Sequence, residues 1–358
     1  MKLPDKPLSE SEMLARLISG EVRVPPLDLE WTDRESTQGP DATLRASWEG
    51  AEYRFVAEFK GRSTPKVLTQ AIAQARAFAD RLNARPLVVV PYLSPERLRE
   101  LEQAGVSGID LSGNALVVVP GKLLVLRTGA PNKFRESYPI REVYRGNTSL
   151  VARALLLRPR TESLADLDRF IRERGGRITL TTISKALRRL EDDVLVERRG
   201  GRARLLQPEP LLDKLTGAYR PPKVRRRVVA STSLDRAALA ARFTTAPVRT
   251  VLTGQSSTDR YAVMGREERV RFYTDSSVTL LGTLGGEFTE GERFANLELI
   301  ETDDPTAYFD VRRRGDLPFA SPVQTYLELA SGDKREQETA KQVRSLILDE
   351  LRQTMDAP

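Results

Sequence analysis

The chain has 358 residues, 40% apolar and 30% charged, enough for two or three domains that each bury a core and incompatible with a disordered or collagen-like class. It contains no cysteine and no histidine, which excludes disulfides, thiolate or imidazole metal sites, zinc fingers, and Ser-His-Asp or Cys-His catalysis. Lys plus Arg is 57 against 50 Asp plus Glu, yet residues 149–229 hold 20 basic and 10 acidic side chains, so the remaining 277 residues are net −3. An arginine-dominated middle between near-neutral flanks points to a polyanion-binding module.

In chain order, Ala42–Trp48 and Tyr53–Lys60 alternate apolar and polar residues on either side of Glu49-Gly50-Ala51 and predict a hairpin. Pro65–Leu82 carries an apolar stripe at helical spacing, Pro86–Pro91 reads as a buried strand, Pro95–Gln103 as a second helix, and Gly108–Leu111, Asn114–Val119 and Lys122–Arg127 as further strands. Residues 1–148 thus predict one α/β domain. Within it, Pro40-Asp41 precedes Glu58-Phe59-Lys60, and period-two geometry puts Glu58 and Lys60 on one strand face with Phe59 on the other. Asp41 and Glu58 are candidate ligands for Mg²⁺ (or Mn²⁺), and Lys60 suits orienting or deprotonating an attacking water. Gln70 and Gln74, at i and i+4 of the following helix, place a glutamine within reach, with Gln70 the candidate. This Asp, Glu-X-Lys, Gln series resembles the PD-(D/E)XK nuclease superfamily. The resemblance implies a restriction-endonuclease-like fold and a Mg²⁺-dependent deoxyribonuclease site at Asp41, Glu58, Lys60 and Gln70.

From Ser149 the pattern shortens: Leu150–Leu157, Leu164–Arg174 and Thr181–Leu190 read as helices, and Val194–Glu197 with Arg202–Leu206 as strands around Gly200-Gly201. Three helices and a hairpin predict a winged helix-turn-helix over 149–210. Thr179 is a fitting N-cap for the third helix, whose inward face is Ile183, Ala186, Leu187 and Leu190. That leaves Thr181, Thr182, Ser184, Lys185, Arg188 and Arg189 to meet a major groove, and Arg198, Arg199, Arg202 and Arg204 on the wing to meet phosphate. Double-stranded DNA is the expected partner.

Residues 211–228 read as a basic linker and 229–358 as a C-terminal α/β domain, with strands expected at Val248–Leu252, Val270–Tyr273, Val278–Leu281 and Leu297–Ile300 and helices at Pro322–Ala330 and Glu336–Leu351. The fold class expected for the whole is multidomain α/β. Leu252–Ser257 has the Gly-Ser character of a nucleotidyltransferase opening, but no acidic pair follows Asp275, and no phosphate-binding glycine loop exists in the chain. No nucleotide cofactor, zinc or haem is expected.

Pro91–Pro95, Gly108–Asn114, the winged helix, Ala295–Leu299 and Ala320–Leu327 together resemble proteins grouped with the AbiEi-type antitoxins of type IV toxin-antitoxin systems. The resemblance implies a DNA-binding transcription regulator whose C-terminal domain opposes a nucleotidyltransferase-like toxin; the group's defining members begin with the winged helix, whereas here a nuclease-like domain precedes it. Two functions stand side by side: a regulator, expected as a homodimer, and a Mg²⁺-dependent endonuclease delivered by its winged helix. No apolar run approaches the roughly 18 residues that span a bilayer, and residues 1–14 lack a signal-type apolar stretch, so a cytoplasmic protein with no membrane partner is expected.

Overall fold

In the computed structural model, which describes residues 8–33, 39–134, 142–263 and 269–356, the mixed α/β chain divides into two units, Met1–Arg141 and Glu142–Pro358. The first unit begins with α1 (Glu10–Ile18), opened by a reciprocal cap in which Glu12 N–H donates to the Ser9 hydroxyl and Ser9 N–H donates to the Glu12 carboxylate. There follow β1 (Asp28–Asp33), β2 (Ala42–Trp48), β3 (Ala51–Phe59), α2 (Pro65–Leu82), β4 (Arg85–Val90), α3 (Pro95–Gln103), β5 (Ser107–Asp110), β6 (Ala115–Val119) and β7 (Leu123–Arg127).

The seven strands lie side by side in chain order. Only β3–β4 and β4–β5 are parallel, because only those connections contain a helix to carry the crossover. The β2–β3 register sets Ala42, Leu44 and Ala46 opposite Ala57, Phe55 and Tyr53, all in one core with Phe59 and Leu87. The other face of the sheet, through Val88, Val90 and Leu116, is covered by Leu68, Ala71 and Ala75 of α2 and by Leu98 and Leu101 of α3.

The turn after β5 is built on Asp110, which is fully buried. Its Oδ1 accepts from the backbone N–H groups of Ser112, Gly113 and Asn114, and its Oδ2 accepts from Leu93 N–H and Asn114 Nδ2, all at 2.7–2.8 Å. This explains the Gly108–Asn114 pattern as architecture: one carboxylate satisfies donors that no backbone carbonyl can reach.

The second unit starts with α4 (Ser149–Leu157), β8 (Arg160–Thr161), α5 (Leu164–Glu173), α6 (Leu180–Asp192), β9 (Val196–Arg199), β10 (Arg202–Leu205) and α7 (Pro208–Ala218). The three strands form a small antiparallel sheet ordered β8-β10-β9. The remainder comprises β11 (Arg226–Ser231), α8 (Arg236–Thr244), β12 (Thr250–Leu252), β13 (Val270–Thr274), α9 (Ser277–Thr283), β14 (Thr289–Glu290), β15 (Leu297–Glu301), β16 (Arg312–Arg314), β17 (Leu317–Phe319), α10 (Pro322–Ala330) and α11 (Lys334–Asp356). Its sheet runs β14-β11-β15-β13-β12-β17-β16, over a core of Phe243, Leu252, Phe272, Leu280, Leu299 and Phe319.

Two expectations differ from this fold. Val278–Leu281, expected as a strand, lies in helix α9, because Ser276 caps it by accepting from Thr279 N–H and only one side, with Leu280 and Leu281, is buried. Residues 211–228, expected as a linker, hold most of α7 and the first three residues of β11. Leu211, Leu212 and Leu215 are buried, and Arg226 and Arg227 pair across the ladder with Glu301 and Ile300.

Candidate functional site

The first site lies where β2 begins and β3 ends. Asp41 N–H donates to the Ala57 carbonyl at 3.1 Å, and the Asp41 Oδ2 accepts from Phe59 N–H at 2.8 Å, so the Asp41 side chain caps the hairpin ladder. Phe59 turns into the core, edge-on to Trp31. Glu58 takes the opposite face at only 4% exposure, and its Oε2 accepts from Lys60 Nζ at 3.1 Å. Lys60 N–H continues the ladder onto the Val89 carbonyl at 2.9 Å, while its side chain stays about one-fifth exposed, 21%.

Burial pushes the Glu58 carboxyl above its usual range; the Asp41 charge pushes the same way, Lys60 opposes both, and Glu10 of α1 adds a further upward push. A cleft of about 510 Å³ opens beside Lys60, with Ser9, Glu10, Ser11 and Arg62 also on its walls and neither Asp41 nor Glu58 among its lining residues. Glu10 is the acidic residue that the motif spacing misses. The Ser9…Glu12 cap is the signal that would have placed it on a helix start.

Gln70 is exposed, two positions past buried Leu68 and on the outward side of α2. Gln74 is the inward glutamine, half-buried, with Oε1 buried and without a hydrogen-bond partner. Among the described residues no group of three or more acidic side chains is arranged to hold a metal. Asp41 and Glu58 are the two carboxylates at this strand end, with Asp41 Oδ2 engaged by Phe59 N–H and Glu58 Oε2 by Lys60.

The second site is α6 with the β9–β10 hairpin. Thr179 caps α6 by accepting from Thr182 N–H, and Ile183, Ala186, Leu187 and Leu190 are buried. Thr181, Lys185 and Arg188 are exposed, while Thr182 and Ser184 are half-buried. Arg189 differs from its neighbours: its Nε lies 3.3 Å from Asp193 Oδ2, a carboxylate that also accepts from the Tyr144 hydroxyl and whose side chain is 2% exposed. Arg189 therefore holds the helix end in place.

The hairpin turns at Gly200 and Gly201, whose φ of +56° and +85° require glycine. On it, Arg198 faces Glu191 at 3.8 Å, Arg199 faces Glu197 at 2.8 Å, and Arg202 faces Glu162 at 2.7 Å. Arg204 is exposed with no carboxylate at ion-pair distance among the described residues. The exposed pairs of Arg199 and Arg202 contribute about 0–1 kcal/mol each, so a phosphate can replace the carboxylate partner there, whereas Arg198 and Glu191 are half-buried.

A third cluster unites the short motifs at 252–257 and 320–327. Thr253 Oγ1 and Gly254 N–H both donate to Glu328 Oε2 at 2.6 Å, and Ser257 Oγ meets Thr325 Oγ1 at 2.8 Å. Gln324 receives Arg153 Nη1 at 2.7 Å and donates to Glu328 Oε1 at 2.7 Å. These contacts are internal to the fold, and Asp275 is likewise occupied, by Arg249 at 3.0 Å. No family model matches this chain, and neither the curated proteins nor the solved structures contain a match to it.

Proposed function

We propose that this protein binds double-stranded DNA through a winged helix formed by α4–α6 and the β9–β10 hairpin, and acts as a transcription regulator of antitoxin-like type. The observation that carries the reading is α6 itself. It follows two short helices and precedes an arginine-bearing hairpin, its N-terminus is capped by Thr179, and it presents Thr181, Lys185 and Arg188 outward from an apolar inner face. Small hydroxyls and cations on such a face suit base edges and phosphates. The test is fluorescence anisotropy of the full chain on labelled duplex. Arg188→Ala should weaken binding by roughly 1–3 kcal/mol where Arg188 reads a base edge, and Arg204→Ala should lower the salt slope by about 1 for one lost phosphate. Salt-independent or absent duplex affinity defeats the proposal.

A second reading, a PD-(D/E)XK-type endonuclease, is favoured by the convergence of Asp41, Glu58 and Lys60 at one strand end. Mg²⁺ would be held by Asp41 and Glu58 and would supply Lewis acidity toward a phosphate and its attacking water. Lys60, bonded to Glu58, would offset the two carboxylate charges and face the incoming phosphate. Nicking of supercoiled plasmid with Mg²⁺ or Mn²⁺ by the wild type, lost in Glu58→Ala, supports this reading. Unchanged plasmid topology removes it and leaves the first unit a scaffold.

A further inference from the structure

We infer that the β16–β17 hairpin is a second phosphate-contacting hairpin, extending the duplex surface from α6 onto the edge of the C-terminal sheet; this rests on the duplex-binding reading above. The hairpin carries Arg312, Arg313 and Arg314 in succession on the edge strand of its sheet. Asp310 takes up the first, its Oδ2 lying 2.9 Å from Arg312 Nε. Arg313 and Arg314 are exposed, and neither has a carboxylate at ion-pair distance among the described residues. Arg313 bonds only to the backbone carbonyl of Asp316, at 3.3 Å.

The hairpin is fastened to the loop that leads into α6. Asp310 N–H donates to the Arg174 carbonyl at 2.9 Å, and Arg174 Nε lies 3.3 Å from Asp310 Oδ1. The same loop sits so close to the strand entry that a Cβ on Gly175 would lie 3.1 Å from the Tyr308 carbonyl, and one on Gly176 3.1 Å from the Phe309 ring. Arg313 and Gly175 line one cleft of about 560 Å³. Gly175 precedes the cap of α6, Thr179, by four residues, which span at most about 14 Å. A duplex carries one charge per roughly 1.7 Å of axis, and phosphates flanking the α6 contact are assigned to Arg313 and Arg314. Arg177, exposed in the connecting loop, fills the interval.

The test uses the full chain and a fluorescein-labelled random-sequence duplex of about three helical turns, titrated across salt. Arg313→Ala/Arg314→Ala should weaken binding on the order of tenfold at 0.1 M salt and reduce the log–log salt slope by about 1.8, with an unchanged melting temperature. Arg313→Lys/Arg314→Lys should restore most of the slope. An unchanged slope in the alanine pair, while Arg202→Ala/Arg204→Ala lowers it, overturns the inference and leaves the duplex reading standing. Wild-type protein with no salt-dependent affinity overturns both. Retained duplex binding with lost binding to polyglutamate also overturns the inference and assigns the hairpin to an acidic polypeptide.

Discussion

Glu58 shows how a single residue couples chemistry to stability. Its carboxyl is raised by burial and by Asp41, so the folded unit holds the Glu58 proton more tightly than the unfolded chain does. The contribution to stability is therefore fully present below the ordinary value of 4.5, and it is lost as pH rises from there through the raised folded value. Glu58→Gln should stabilise the first unit at neutral pH by on the order of 1 kcal/mol, because it removes a buried charge beside Asp41. It should do little at about pH 4, where the wild-type carboxyl is already mostly protonated in the folded state. Urea unfolding at both pH values checks the sign, and a variant equally stabilised at each would refute the cause given. Asp110 is buried and accepts from five donors. Asp110→Ala orphans buried N–H groups at about 1–3 kcal/mol each and should cost more than about 3 kcal/mol. Asp110→Asn should also destabilise, because either oxygen replaced by NH₂ meets a donor.

At the scale of elements, α6 separates two adjacent arginines that look alike in sequence. Arg188 is exposed, so Arg188→Ala should leave stability within about 0.5 kcal/mol while weakening duplex binding. Arg189→Ala removes a partner from Asp193 and should cost about 2 kcal/mol of stability, read by thermal melting of the same samples. The i,i+4 spacing of Arg189 and Asp193 was visible in the sequence, but the burial of that carboxylate was not, since Tyr144 arrives from far along the chain. Helices with strong local signals were legible to the residue: α2 and α3 start at Pro65 and Pro95, and α2 stops before Asn83 in a left-handed cap, φ 46°. β1 was not, because Asp28–Asp33 is a six-residue edge strand whose polar–apolar alternation rests on Leu29 and Trp31 alone. α9 was misread because a short apolar run fits strand and helix equally, and the deciding Ser276 cap is a side-chain bond. The face shared by Glu58 and Lys60 followed from period two alone. The bond from Phe59 N–H to Asp41, and the approach of Glu10, depend on pairing and packing that no spacing encodes.

At the scale of the whole molecule, the basic excess of 149–229 is divided between side chains held by carboxylates of the sheet and side chains left exposed. Arg225 and Arg227 are held by Glu301 and Glu298 at 3.2 and 2.6 Å, and so belong to the sheet, whereas Lys185, Arg188 and Arg204 remain exposed. The helices of the second unit are tied to that sheet by a buried polar chain. Arg153, 3% exposed on α4, donates to Ser149 Oγ at 3.2 Å and to Gln324 of α10 at 2.7 Å. Gln324 donates to Tyr219 at 3.1 Å and to Glu328, which also accepts from Tyr273 of β13 at 2.7 Å and from Thr253 just past β12. Burial pulls the Arg153 pKa down, opposed by Tyr219, Asp304 and Glu328, none of them a direct ion-pair partner. A buried guanidinium in such a setting is tolerated only while its hydrogen bonds are intact. Gln324→Leu should therefore lower the stability of α4–α6 and of β12–β13 together, by about 2 kcal/mol or roughly thirtyfold in amide protection. Native-state hydrogen exchange on the full chain reads both segments at once. Protection lost equally in both would make residues 142–358 one cooperative body that presents α6 on a rigid base; loss confined to α4–α6 would make the helices a separately opening module and defeat this account of the network.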